Sequence, residues 1–192
     1  MEERARRIVE SAVELAEKGG FEAVRLRDVA AHAGVALGTL YRRFHSKEDL
    51  LIAALEQEII DHRQRLIQRP PKGSSRLDRV TSFFQGATRA LCRRPNLARA
   101  MIRAVATGDP ELTQKMALFH ARVGELVTMA LRGDSAPGAG APPSEEERVL
   151  ARSLQMVWFA TLVGWSGGLH GQAGIVEQTR SAAELMLGDA GG

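Results

Sequence analysis

The sequence predicts an all-α protein: an N-terminal three-helix unit of helix-turn-helix type, followed by a longer helical bundle, about nine helices in all. Three observations carry this. Apolar residues recur at three- and four-residue steps through most of the 192 residues. Alternating β-branched runs joined by hairpin turns, the mark of strands, are absent. Gly19-Gly20, Pro70-Pro71, Pro95, Asp109-Pro110 and a glycine-rich stretch at 167–174 punctuate the periodic segments.

Taken in order, the first helix is expected over 4–18, with Ile8, Ala12 and Leu15 on its inner stripe and Gly19-Gly20 as its stop. Phe21 and Val24 then close a small core from outside. Two short helices follow. Leu26, Val29, Ala30 and Ala33 can line one face of the first, and the small Ala30 lets two helices cross closely. Gly34 stands where the chain must leave that helix, a place that often needs a positive φ. The second, over 37–44, draws apolar contacts from Val35, Leu40 and Phe44. At about two turns it is too short to hold its shape without neighbours. Ser46 suits the N-cap of a fourth helix, with Asp49 completing a near capping box. That helix runs to about 68, where Pro70-Pro71 ends it, and Leu51, Ala54, Leu55, Ile59 and Leu66 give it a long apolar face.

Past a loop at 72–75, helices are expected over 76–93, 96–107 and 110–132, the last two begun by prolines. GDSAPGAGAPP at 133–143 reads as a flexible loop. Ser144 with Glu145, Glu146 and Glu147 restarts a helix that reaches about 166. A last helix ends near 187, with a mobile tail after it. The expected division is a helix-turn-helix domain at 1–46 and a second domain at 47–192.

The polar residues of the short helix point to chemistry. Gly38, Thr39, Tyr41, Arg42 and Arg43 fall on its outward side. A glycine at the helix start lets backbone approach a phosphate. Hydroxyls can bond phosphate oxygens or base edges, and guanidinium forks suit phosphate or guanine. From 37 to 47 there are three Lys or Arg residues and no acid. Lys47 sits at the start of the fourth helix, where free N–H groups and an ammonium can hold one phosphate. A helix-turn-helix places its second helix in a DNA major groove, so the expected DNA-binding set is Leu37, Gly38, Thr39, Tyr41, Arg42, Arg43, His45 and Lys47.

The run AGVALGTLYRRFHSKEDLL resembles the signature of TetR-type transcriptional regulators, and the likeness extends back to Arg7. In that family the residues matching Thr39, Tyr41 and Lys47 usually touch the DNA backbone while the short helix reads bases. The chain departs from the family at Arg25 and Ala36, where Ser or Thr caps are common, and at His45, where Pro or Gly is common. The middle segment TSFFQGATRALCRRPNLARAMIRAVATGDPEL is similar to the KstR-like, steroid-catabolism branch, which implies coenzyme A thioesters of sterol intermediates as effectors.

The resemblance gives the second domain two tasks, ligand binding and dimerisation. One short helix reads few base pairs, so a homodimer is expected to present two to double-stranded operator DNA, about 34–36 Å apart. Leu150, Leu154, Val157, Thr161 and Trp165 on one helix, and Ile175, Thr179, Ala182 and Met186 on the last, form stripes suited to a four-helix bundle. Of these, Leu154, Thr161, Trp165, Thr179, Ala182 and Met186 are the expected interface; such stripes equally suit an ordinary core. Phe83, Phe84, Ala87, Leu91, Met101, Val105, Met116, Phe119, Val123 and Trp158 are the expected lining for an apolar small-molecule effector, an acyl-coenzyme A among the candidates, and they too equally suit plain core. Residues 63–103 hold 11 Lys and Arg against one acid, Asp78. Within that run Arg89, Arg93, Arg94, Arg99 and Arg103 are placed to flank a pocket mouth and meet coenzyme A phosphates, or to form a solvated basic face.

Composition narrows the rest. The overall balance of 26 basic and 23 acidic residues does not by itself demand a nucleic-acid partner. No apolar run approaches bilayer length, so no membrane role is expected. The charged MEERARR start is unlike a secretory signal. The single Cys92 excludes an internal disulfide and argues against a cysteine zinc site, and a cytoplasmic location is the simplest fit. No nucleophile elbow, phosphate loop or metal-ligand pair is present, and the five histidines show no i, i+4 pairing, so neither enzyme activity nor a cofactor or metal is expected. Two readings stand: a ligand-released repressor, and a helix-turn-helix DNA-binding or architectural protein with no small-molecule effector.

Overall fold

The computed structural model describes residues 3–133 and 142–188. Most of the loop expected at 133–143, and the tail beyond 188, lie outside the described residues. Among those described there are nine α-helices and no strand: α1 Glu3–Ala23, α2 Leu26–His32, α3 Leu37–Tyr41, α4 Lys47–Gln68, α5 Arg76–Cys92, α6 Pro95–Ala106, α7 Thr113–Arg132, α8 Glu145–Ser166 and α9 Gln172–Gly188. A 3₁₀ turn, Pro110–Leu112, leads into α7, with the Asp109 side chain capping it. The all-α expectation therefore holds. The Gly19-Gly20 break is present too: Gly20 takes φ +68°, and a further helical turn carries Phe21 beyond it.

The chain forms two compact units, 1–58 with 93–117, and 59–92 with 118–192. The first holds α1 to α3, the opening of α4, α6 and the first residues of α7. Ile8, Ala12, Ala16, Val24, Val29 and Leu40 are sealed in its interior. α6 packs along α1. Arg94 at the α6 start forms ion pairs with Glu17 and with Glu58, the latter at 3.2 Å, and the Asn96 amide donates to the Glu17 carbonyl at 3.0 Å. The opening of α4 is fixed by Ser46 Oγ, which accepts from the Asp49 backbone N–H at 3.1 Å. Asp49 itself is buried, accepts from the His45 N–H at 3.2 Å and is ion-paired with Lys115. The near capping box is thus real, shifted by one residue: the carboxylate returns to His45 rather than to the cap residue.

In the second unit α9 packs against α5 and α8. Ser144 and Glu147 form a full capping box at the α8 start. The Glu147 carboxylate also takes two hydrogen bonds from Arg132 at the end of α7, at 3.0 and 2.7 Å. The Arg132 bond, then the Ser144 backbone bond, hold its carboxyl down at about 2 from an ordinary 4.5. A carboxyl depressed in the fold contributes stability above its unfolded value and loses it as pH falls through the folded one. Glu147→Gln is therefore expected to lower the melting temperature at pH 7 and to flatten its fall between about pH 4.5 and 2. Thermal denaturation of both proteins across that range measures it; a parallel fall in the two would refute it.

Candidate nucleic-acid interface

The turn between α2 and α3 is built locally. Ala33 closes α2, Gly34 turns at φ +64°, and the Val35 N–H returns to the Ala30 carbonyl at 3.0 Å. A side chain at Gly34 would meet open space but a strained backbone. Neither Arg25 nor Ala36 caps its helix with a side chain, as the departures at those positions imply. α3 has five residues and one buried side chain, Leu40. Around that anchor the other positions stay open: Gly38, Tyr41, Arg42, Arg43 and His45 are exposed, and Leu37, Thr39 and Lys47 half-buried. Tyr41 keeps 48% of its surface in solvent, a large share for an aromatic ring in a folded unit. The Arg42 guanidinium donates to Thr39 Oγ at 3.2 Å, which orders two of the polar groups together. The eight expected contact residues thus sit on one short outward segment.

Lys47 has surroundings the sequence did not reveal. Its ammonium lies 3.9 Å from the Phe21 ring centre and 3.3 Å from Glu22. Arg103 of α6 lies 4.3 Å from the same ring and 3.0 Å from the same carboxylate. Lys47, by its hydrogen bond and charge, and then Arg103 hold the Glu22 carboxyl below the usual range. No sequence pattern announces this cluster, because Lys47 and Arg103 lie far along the chain from Phe21 and Glu22.

The expected effector lining does not come together in one unit. Phe83, Phe84, Ala87, Leu91, Phe119, Val123 and Trp158 lie in the second unit, whereas Met101, Val105 and Met116 belong to the first. Met101 and Val105 are buried on α6, the helix that packs on α1. In the second unit Phe83 and Phe84 meet edge to face at 5.1 Å, and Phe84 and Trp158 lie tilted to one another at 5.6 Å. Polar groups are threaded through this apolar cluster. The Trp158 indole N–H donates to buried Thr88 at 2.9 Å, and buried Gln155 meets His120 Nδ1 at 2.8 Å. Burial pushes the His120 pKa down, so the ring is neutral near pH 7. Burial, then Arg65, does the same for His62, which stands edge-on to Phe83 at 5.6 Å. Thr88 falls four residues after Phe84, and Gln155 four after Ala151, so their place on the inner faces was readable from helical spacing.

One expectation is corrected. Leu154, Thr161, Trp165 and Thr179 are buried within the single chain, so they are core and not free to meet a second copy. Of the six expected interface residues only Ala182, half-buried, and Met186, exposed, keep open surface. The exposed large apolar residues of α8 are instead Val149, Met156 and Val163, at seven-residue steps, and α9 exposes Leu185 and Met186. The five arginines expected at a pocket mouth divide between the two units. Arg94 and Arg103 are paired with acids of α1 and α4, and only Arg89 lies in the second unit.

A short helix held outward on one apolar anchor after a glycine turn, in a chain that also forms a second helical unit, defines a helix-turn-helix DNA-binding regulator. Residues 8–54 match the family described as bacterial regulatory proteins, tetR family, and residues 73–186 match the tetracycline repressor-like C-terminal domain. The chain belongs to the TetR family of transcriptional regulators. It is 34% identical to the HTH-type transcriptional repressor KstR of Rhodococcus jostii, over 97% of this chain and 84% of that one. A crystal structure of a TetR transcriptional regulator from Rhodococcus sp. RHA1 superposes with a TM-score of 0.83 at 30% identity, covering 97% of this chain and 98% of that chain. Bacillus subtilis FadR in complex with stearoyl-CoA shares the fold, with a TM-score of 0.67 at 19% identity over 94% of this chain and 96% of that one. Among the described residues no helix is long and apolar enough to cross a membrane.

Proposed function

We propose that this protein is a ligand-released repressor that binds a palindromic operator as a homodimer, acting in the cytoplasm. The observation that carries the DNA reading is α3, a five-residue helix with one buried side chain, which with the residues just after it leaves Tyr41, Arg42 and Arg43 exposed and Thr39 half-buried. Thr39, Tyr41 and Lys47 are the backbone contacts in this reading, and Arg42 and Arg43 the candidates for base edges. The exposed stripe of Val149, Met156 and Val163 on α8, with Leu185 and Met186 on α9, supports pairing through that face.

The effector is an apolar small molecule bound by the second domain, with the acyl-coenzyme A class the first to test. The aromatic cluster around Phe84 and Trp158 supports an apolar ligand. His62 Nε2 and Thr81 Oγ1, shielded from solvent and without a hydrogen-bond partner among the described residues, support a polar group on that ligand. The KstR relative is named a repressor, and the shared fold holds stearoyl-CoA in FadR. Ligand that binds the off-DNA arrangement better releases the operator, through a coupling typically of about 1–3 kcal/mol.

A gel shift with the DNA flanking its own gene tests this reading. Wild-type protein is expected to retard that DNA at a stoichiometry of two chains and to let go on addition of a long-chain acyl-coenzyme A. Val163→Glu is expected to sediment as a monomer and to lose most of the shift. A full shift from monomeric Val163→Glu would overturn the paired arrangement, and a shift indifferent to every acyl-coenzyme A would remove that effector class.

A further inference from the structure

The DNA reading leaves Glu22 unexplained. It is an acid beside a lysine assigned to a phosphate, and a phosphate that approaches Lys47 must approach Glu22 as well. The carboxylate is 69% exposed, so no burial forces the pairing. Its two oxygens divide the work: Oε2 faces Lys47 Nζ at 3.3 Å, and Oε1 faces Arg103 at 3.0 Å. Both cations rest on the Phe21 ring, which they help to cover to 8% exposure. One anion is therefore shared by a cation of the α4 start and a cation of α6.

The consequence follows from charge alone. An anion close to Lys47 opposes phosphate binding there, because the lysine must exchange one partner for another and the displaced carboxylate is left beside the DNA. Arg103 offsets part of that opposition by neutralising Glu22. Withdraw Arg103, and Glu22 turns wholly to Lys47. α6 is held to α1 at its other end by Arg94 and Asn96, so the position of α6 along α1 decides whether Arg103 stays on Glu22. We propose that Glu22 is a positioning residue that restrains Lys47 from the DNA backbone, and that Arg103 of α6 sets the strength of this restraint. The inference rests on the reading of Lys47 as a phosphate contact.

Phosphate contacts are blind to sequence, so a random-sequence duplex at low salt suffices as the probe. Fluorescence anisotropy is read for full-length variants whose circular dichroism matches wild type. Glu22→Gln is expected to bind about threefold tighter per subunit, and Arg103→Gln about threefold weaker, the size of exposed charge-pair effects. The double variant Glu22→Gln/Arg103→Gln is expected to bind like Glu22→Gln alone, because Arg103 acts only through the carboxylate. In a Lys47→Gln background Glu22→Gln is expected to lose most of its gain, which a merely structural role for Glu22 would not produce. Weakening by Arg103→Gln that persists without Glu22 would overturn the inference, since Arg103 would then act on DNA directly or through the fold. An unchanged affinity in Glu22→Gln would overturn it as well. Wild-type protein that binds no duplex at low salt would remove the DNA reading itself, and this proposal with it.

Discussion

Leu40→Ala is expected to abolish operator binding while most of the molecule stays folded. Leu40 is fully buried and is the only buried side chain of α3. A helix of five residues forms too few internal hydrogen bonds to persist by itself. Neither flank compensates, since Ala36 supplies no side-chain cap and Arg42 closes the helix in ordinary helical geometry. Truncation of a buried leucine costs about 2–5 kcal/mol. For a domain of typical stability, about 5–15 kcal/mol, that leaves a folded majority. The local effect is larger than the global one, because the lost contact is the one that sets where Thr39, Tyr41 and Arg42 point. Far-ultraviolet circular dichroism should therefore change little at 25 °C and the melting temperature should fall, while the operator gel shift disappears. Retention of specific binding by a folded Leu40→Ala protein would mean that α3 does not take its aim from this anchor.

The α3 region was legible in the sequence because everything that defines it is local. A glycine at the turn, apolar residues at helical spacing and an acid-free polar face lie within two dozen consecutive residues, and the structure places Gly34, Leu40 and Tyr41 as that pattern requires. The helix ends were legible for the same reason, through Ser46, Pro95, Asp109-Pro110 and Ser144. What periodicity could not supply is which partner a face meets. Leu154, Thr161, Trp165 and Thr179 recur at helical steps whether they meet a second copy or their own chain, and they meet their own chain. The seven-residue spacing of Val149, Met156 and Val163 was in the sequence but competed with the stronger three- and four-step stripe beside it. The partners of the basic run were hidden for a related reason. Linear density of arginines says nothing about the acids that fold back onto them, and Glu17, Glu22 and Glu58 lie outside the counted window.

Phe84→Ala is expected to cost about 3–5 kcal/mol of stability, the range for a large aromatic removed from a packed interior. Phe84 is 1% exposed and touches rings on two sides, Phe83 at 5.1 Å and Trp158 at 5.6 Å. Offset and edge-on ring pairs add to the area term by about 0.5–1.5 kcal/mol. Trp158 is tied to Thr88 by its indole N–H, so it cannot swing freely to fill the space. The magnitude also bears on what this cluster does. Loss of side-chain contacts scales with the atoms that surround the ring, and a ring bordering an existing cavity has fewer of them to lose. A measured loss near 3–5 kcal/mol by urea denaturation makes Phe84 a packed wall of the cluster, with the proposed effector held against half-buried Trp158 and the polar groups of His62 and Thr81. A loss near 1 kcal/mol or less would show that the ring already borders space. In that case Phe84→Ala should alter effector affinity more than it alters stability, and acyl-coenzyme A titrations of the two proteins would register the change.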